Sequence, residues 1–326
     1  MKVLVTGANG FLGAHLVREL LAQNHDVYAM LRKNSDRSSL ANYACHILQG
    51  DLDNPDELDR NFSQASHVFH VAGVMSASPR DSQLLHQVNV QGAENVVRAC
   101  EKAKVQKLVH VSSVVAVGAS LNGEKLLNEN SENTTQDLGF ANYDSKRRGE
   151  EIVLRSAREG RIDATVVNPS LMYGARDAKK AMRKGNVLAA KGMLKFYTCG
   201  GVNVVPVEDV AKGMIAAAVK GRSGERYLLT GENMLIKDLL KKISNLAQAK
   251  EPEKELPAGL LKRLAQIHDF FGFKSLLTRE NIFAATSFHW YDNTKAKEEL
   301  GFQPGSAEAA IRRSVEWMKE NGYLEK

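Results

Sequence analysis

The sequence predicts an α/β protein: a doubly wound parallel sheet followed by a smaller, mostly helical C-terminal part. Three observations carry this. The first half alternates short apolar runs with helical patterns, as strands buried on both faces and covered by helices require. Its first apolar run closes in a glycine cluster, Gly7, Gly10 and Gly13, that opens an amphipathic helix. After about Gly174 the rhythm changes to shorter strands and more helix.

Taken in order, strand signals fall at Lys2–Thr6, Asp26–Leu31, His46–Gln49, His67–Val71, Lys107–Ser112 and Asp163–Asn168. Helical spacing between them predicts helices near Phe11–Asn24, Pro55–Phe62, Ser82–Ala103 and Tyr143–Glu159. Asp53 or Asn54, standing before Pro55, caps the second of these. Beyond Gly174, Ala175–Gly192 is basic and irregular. Short strands follow near Val202–Val207 and Arg226–Leu229, with helices at Val207–Val219, Ile236–Ala247, Leu256–Phe271, Thr294–Leu300 and Ala307–Asn321. This divides the chain into residues 1–174 and 175–326, the second part returning a strand and a helix to the first.

Composition narrows the function classes. The chain has 326 residues, 43% of them hydrophobic and 25% charged, as a packed globular protein does. Its formal net charge of +6 suits anionic small molecules, but the charge is spread along the chain without a basic block, which argues against nucleic acid as a partner. Cys45, Cys100 and Cys199 lie far apart with no metal-ligand spacing, so we expect reduced thiols, no metal and a cytoplasmic location. No secretory leader or membrane span is expected either.

The glycines fit a defined task. In Thr6-Gly7-Ala8-Asn9-Gly10-Phe11-Leu12-Gly13, one glycine makes a tight turn, one admits a pyrophosphate against the backbone, and one lets helix and strand pack closely. The helix N-terminus then offers free N–H groups to phosphate. At the end of the second strand an NAD site keeps an acid for the ribose hydroxyls; here Arg32 and Lys33 follow Leu31, which favours the 2′-phosphate of NADP(H) over NAD(H). Asp51 and Leu52 suit the adenine edge, though Asp51 reads equally as a helix cap. Ala72 and Gly73 again allow close backbone approach to a ligand.

These residues, with HVAG at His70–Gly73, NVQGAENVV at Asn89–Val97, VHVSSVVAVG at Val109–Gly118, NPSLMYG at Asn168–Gly174 and VPVEDVAKG at Val205–Gly213, resemble the extended short-chain dehydrogenases/reductases. Within that NAD-dependent epimerase/dehydratase superfamily the likeness is to the dihydroflavonol-reductase-like and aldehyde-reductase-like branch. The resemblance implies a Rossmann-type sheet, a C-terminal substrate domain and hydride transfer assisted by a Ser, a Tyr and a Lys. Ser113 matches the serine, by its distance from Gly118, and Pro169-Ser170 the turn that packs on the nicotinamide. A phenol needs a nearby ammonium before it exchanges protons at neutral pH.

The family spacing is Tyr, three residues, Lys; this sequence reads Asn142-Tyr143-Asp144-Ser145-Lys146-Arg147. Three arrangements are open. Tyr143 sits before the helix proper and works with Lys146; Tyr143 pairs with Arg147; or Asn142 occupies the tyrosine position. The expected site is Ser113, Tyr143 and Lys146, because Tyr143 is the only phenol in that segment. The expected function is NADP(H)-dependent interconversion of a small or medium apolar aldehyde or ketone with its alcohol. A nucleotide-sugar epimerase or dehydratase and a non-catalytic dinucleotide-responsive binding protein are the alternatives, and a homodimer is compatible with the resemblance.

Two further patterns are weaker. Arg176, Lys179, Lys180, Arg183 and Lys184 form a solvated loop or a phosphate subsite. Leu260, Leu264, Ile267, Phe270 and Phe271 recur at helical spacing, as a core face does.

Overall fold

The computed structural model describes residues 1–177, 183–261, 263 and 278–325. Its centre is a seven-stranded sheet in which every pairing is parallel. The strands are β1 (Lys2–Thr6), β2 (Asp26–Leu31), β3 (His46–Gln49), β4 (His67–His70), β5 (Lys107–Val111), β6 (Ala164–Pro169) and β10 (Arg226–Leu229), in the order β10-β6-β5-β4-β1-β2-β3. Chain order reverses between β1 and β4. That is the switch point of a doubly wound sheet, where a crevice opens beyond the carboxyl ends of the strands.

Alternation along β1 shows how the layers form. Val3 and Val5 face α1 (Phe11–Ala22) and α7 (Val207–Lys220), while Leu4 faces the opposite layer of α2 (Pro55–Phe62), α4 (Gly92–Ala103) and α5 (Ala141–Arg158). All three β1 side chains are fully buried, as the period of two within an internal strand requires. Asn54 caps α2, its side chain accepting from Glu57 N–H, with Pro55 in the first turn.

The expected helix Ser82–Ala103 has structure inside it: α3 (Ser82–Leu85), a π-helical turn His86–Gln91, then α4. The turn lets Asn89 bond both the N–H and the C=O of Val74. The second half is less helical than expected. β7 (Leu171–Tyr173), β9 (Gly201–Pro206) and β11 (Glu232–Leu235) form a second sheet in the order β11-β9-β7, and β8 (Phe196–Tyr197) pairs with β12 (Lys254–Glu255). Around them lie α6 (Arg183–Ala190), α8 (Ile236–Leu246), α9 (Arg279–Thr286) and α10 (Ala307–Glu320). β10 joins the main sheet beside β6, and α7 packs on α1. Among the described residues no helix is long and apolar enough to cross a membrane. Residues 178–182 and most of the expected helix Leu256–Phe271 lie outside the described residues.

Candidate active site

The phosphate loop is built by steric exclusion of side chains. Gly7 has φ +65, and a Cβ there would lie 2.7 Å from the Ala72 backbone. A Cβ on Gly13 would lie 2.2 Å from the Gly7 carbonyl oxygen, so only glycine lets α1 pack this close to the loop. Gly10 is the N-cap and supplies no capping side chain, which leaves the first N–H groups of α1 for an external acceptor. Asn9 Nδ2 donates to the Asp36 carbonyl at 2.8 Å and Ser39 Oγ to the Asn9 carbonyl at 3.1 Å, tying the loop after β2 to this cradle. Arg32 and Lys33 are exposed directly beyond β2, with no acid in that turn. A pyrophosphate and a phosphorylated ribose fit this donor set.

Asp51 is not the cap of α2, which is Asn54; its carboxylate instead accepts from Asp53 N–H at 3.3 Å beside buried Leu52. At β4, Thr6 Oγ1 bonds His70 Nδ1 at 2.8 Å and accepts from Ala72 N–H at 3.2 Å, which fixes the chain leading to Gly73. Ser170 Oγ donates to Asn203 Oδ1 at 2.6 Å, so its hydroxyl is committed to the second sheet. Pro169 closes β6.

The buried carboxylate of Glu150 anchors α5. It accepts from Asn168 Nδ2 at 2.6 Å and pairs with Arg226 Nη1 at 2.9 Å, binding α5 to β6 and β10. Asn168 Nδ2 also donates to the Ser113 carbonyl at 3.0 Å. Ser112 is buried, whereas Ser113 is half-buried at the carboxyl edge of β5. Ser113 Oγ accepts from Val115 N–H at 3.4 Å, which leaves its own proton to donate.

Lys146 stands against Gly73: a Cβ on Gly73 would come within 2.7 Å of Lys146 Nζ. Burial lowers the Lys146 pKa to about 8. Beneath it, His70 and His110 have ring centroids 5.1 Å apart. Burial, with Lys146 nearby, holds His70 down at about 3 and His110 well below its usual value, so both rings are neutral at pH 7.

Tyr143 goes elsewhere. α5 begins at Ala141, two residues before the expected start, so Tyr143 lies inside a regular turn and no irregularity absorbs the shift. Around α5, Asn142 lies about 40° and Tyr143 about 60° from Lys146, on opposite sides. The Tyr143 hydroxyl and His289 Nε2 are 2.9 Å apart in a buried hydrogen bond. Burial and the nearby Glu280 push the phenol pKa up, with no contribution from Lys146. Ser113 thus stands at the carboxyl edge of β5 and Lys146 against Gly73, while the Tyr143 hydroxyl is bonded to His289. Arg147 pairs with Glu151 at 2.8 Å and with Asp144 at 3.5 Å, away from the phenol.

The wall beyond is aromatic. Phe140, Tyr143, Phe283 and His289 meet with ring centroids 5.3–6.4 Å apart. Glu280, itself buried, stands near them and adds to the upward push on the Tyr143 phenol. The sequence offered no signal for Phe283, Glu280 or His289, which reach the site from far along the chain. Tyr173 is buried with its hydroxyl on Asn186 Oδ1 at 3.0 Å, a core position, and Arg176 donates to the Tyr43 hydroxyl at 2.9 Å. Lys179, Lys180, Leu264, Ile267, Phe270 and Phe271 lie outside the described residues, as do the side chains of Arg183 and Lys184.

Comparison with known proteins bears on the family and the fold. The profile of the NAD dependent epimerase/dehydratase family matches residues 3–230. A "Sterol demethylase protein B" of Methylococcus capsulatus is 31% identical over 99% of this chain and 100% of its own. A "Putative dihydroflavonol 4-reductase" of Synechocystis sp. is 30% identical over 98% and 95%. The crystal structure of gox2253 superposes with a TM-score of 0.90 at 32% identity, covering 99% of both chains.

Proposed function

The chain belongs to the NAD dependent epimerase/dehydratase family, and we propose that it is an NADP(H)-dependent oxidoreductase interconverting an apolar aldehyde or ketone with its alcohol. The observation that carries this reading is the Lys146 ammonium held against Gly73 at the switch point, with Ser113 on the neighbouring strand edge. When bound, the nicotinamide supplies the hydride. Phe11, Leu12 and Gly13 offer backbone N–H groups to the pyrophosphate over the turn made by Gly7, Asn9 and Gly10, and Arg32 and Lys33 take the 2′-phosphate. Asp51 and Leu52 border the adenine; Ala72, Gly73, Pro169 and Ser170 border the nicotinamide half through their backbone. Lys146 donates to the ribose hydroxyls, and the Ser113 hydroxyl donates to the carbonyl oxygen as charge develops there.

The aromatic wall of Phe140, Tyr143 and Phe283 supports an apolar substrate. So do the names of the two relatives, one a reductase and one a sterol-processing protein. NADPH oxidation measured against benzaldehyde, cyclohexanone and a 3-ketosteroid tests the reading, together with titrations of NADPH and NADH. Carbonyl-dependent oxidation with NADPH preferred supports it; no turnover on any of the three overturns it.

Asn142 favours a second reading, because it stands where the resemblance puts the acid/base phenol. A dinucleotide-responsive binding protein would take up NADPH tightly and turn over no carbonyl.

A further inference from the structure

Ser113 caps a short turn, Val114–Ala116, that is held at both ends. At its start the Ser113 carbonyl accepts from Asn168 Nδ2 at 3.0 Å and from Ala116 N–H at 3.0 Å. Just past its end the Tyr291 hydroxyl donates to the Gly118 carbonyl at 2.6 Å, with the Val114 carbonyl 3.4 Å away. Tyr291 is 2% exposed and belongs to a buried cluster with Val114, Val117, Leu127 and Leu228. Its ring and its hydroxyl both serve the turn that begins at Ser113.

The backbone of Tyr291 is in turn set by the second sheet. Asn233 Oδ1 accepts from Tyr291 N–H at 3.0 Å, and Asn233 Nδ2 donates to the Tyr291 carbonyl at 3.0 Å. Asn233 on β11 is paired with Asn203 on β9. Asn203 Nδ2 donates to Asn233 Oδ1 at 2.7 Å, and Asn203 Oδ1 accepts from Ser170 Oγ at 2.6 Å. Three side-chain amide and hydroxyl groups and the Tyr291 side chain thus join Ser170, after β6, to the Ser113 turn, after β5.

We propose that Tyr291 is a positioning residue for Ser113: its hydroxyl clamps the far end of the turn whose first residue presents the serine hydroxyl to the substrate carbonyl. This rests on the oxidoreductase reading above. Ser113 Oγ accepts from Val115 N–H at 3.4 Å, a long contact, so the backbone of the turn sets where the hydroxyl stands. Tyr291 acts through that backbone and transfers no proton. Its hydroxyl is committed to Gly118, and burial pushes the phenol well above its usual value, so the donor is present throughout the neutral range. Without the hydroxyl the Gly118 carbonyl loses this donor and the turn is free to shift. A displacement of about an ångström at a reacting group costs up to about 100-fold in rate.

The test is a double-mutant cycle of Y291F and S113A, read by kcat and KM on the best of the three carbonyls and by NADPH affinity from fluorescence. We expect Y291F to lower kcat about 10- to 100-fold, with KM and NADPH affinity changed by less than about threefold. In the S113A background no serine hydroxyl is left to misplace, and Y291F should change kcat by less than about threefold. Equal fold losses in the two backgrounds overturn the proposal, because they make Tyr291 a support of the fold that acts independently of Ser113. Y291F or S113A turning over as fast as wild type overturns it too, and in all these cases the oxidoreductase reading stands. A wild type that oxidises NADPH with none of the carbonyls overturns that reading and the role of Tyr291 with it. If Y291F does not fold, N233A takes its place in the cycle, releasing the Tyr291 backbone by a change at an exposed residue of β11. A loss in kcat seen only where Ser113 is present then supports the proposal; wild-type kcat, or the same loss with and without Ser113, overturns it.

Discussion

Replacing Tyr143 by Phe separates the fold from the chemistry at this site. The substitution removes one hydroxyl from a buried pair, Tyr143 Oη and His289 Nε2 at 2.9 Å, and leaves the ring among Phe140 and Phe283. His289 is then a buried ring nitrogen without a partner, which costs about 1–3 kcal/mol. A 326-residue chain unfolds with an entropy of roughly 0.7 kcal/mol per degree, so Tm should fall by about 1.5–4 °C. Since the phenol does not face Lys146, kcat should change by less than about tenfold, below what loss of a proton donor removes. Differential scanning calorimetry and NADPH-linked carbonyl reduction measure the two effects. A fall in kcat of a hundredfold or more with NADPH affinity intact would refute the reasoning, because it would put the phenol on the reacting oxygen.

Other perturbations follow from the same geometry. Arg32→Asp should weaken NADP(H) about tenfold or more, since a charge-assisted contact is worth roughly 1.5–3 kcal/mol, and shift preference toward NAD(H); fluorescence titration of both cofactors checks it. Lys146→Met should weaken NADPH binding yet raise Tm at pH 7. Burial lowers the Lys146 pKa to about 8, so the folded chain binds fewer protons than the unfolded one between pH 8 and 10.5. The strain is full below that window and gone above it, at most about 3 kcal/mol and less because the side chain is only half-buried in the fold. Glu280 acts with the opposite sign. Its pKa, raised from 4.5 to about 7, makes wild type lose up to about 3 kcal/mol as pH rises through that interval, and E280Q should remove this slope in pH-dependent melting.

Local signals carried far in this sequence. β1, β2 and β3 have the predicted boundaries, because alternation and turn residues are short-range properties of the chain. The glycine loop was legible for the same reason: a single stretch, Thr6 to Gly13, supplies the strand end, the turn and the helix start. The start of α5 was not. Asn142 and Tyr143 offer no capping signal, and the N-cap Phe140 carries no side-chain acceptor that would mark the start at Ala141. The π-helical turn at His86–Gln91 was hidden because its residues keep ordinary helical spacing. β7 was missed because Leu171–Tyr173 is only three residues long and pairs with β9 across a long insertion. The aromatic wall escaped for a related reason: Phe283 and His289 meet Tyr143 only through tertiary packing.

Isotope transfer tests the central claim most directly. NADPH carrying deuterium at the reactive C4 position is incubated with the protein and the best carbonyl, and the alcohol is analysed by mass spectrometry and proton NMR. An NADP(H)-dependent oxidoreductase places one deuterium on the carbinol carbon for each NADPH consumed. Product without net NADPH oxidation, or NADPH bound with no label leaving it, would contradict the account.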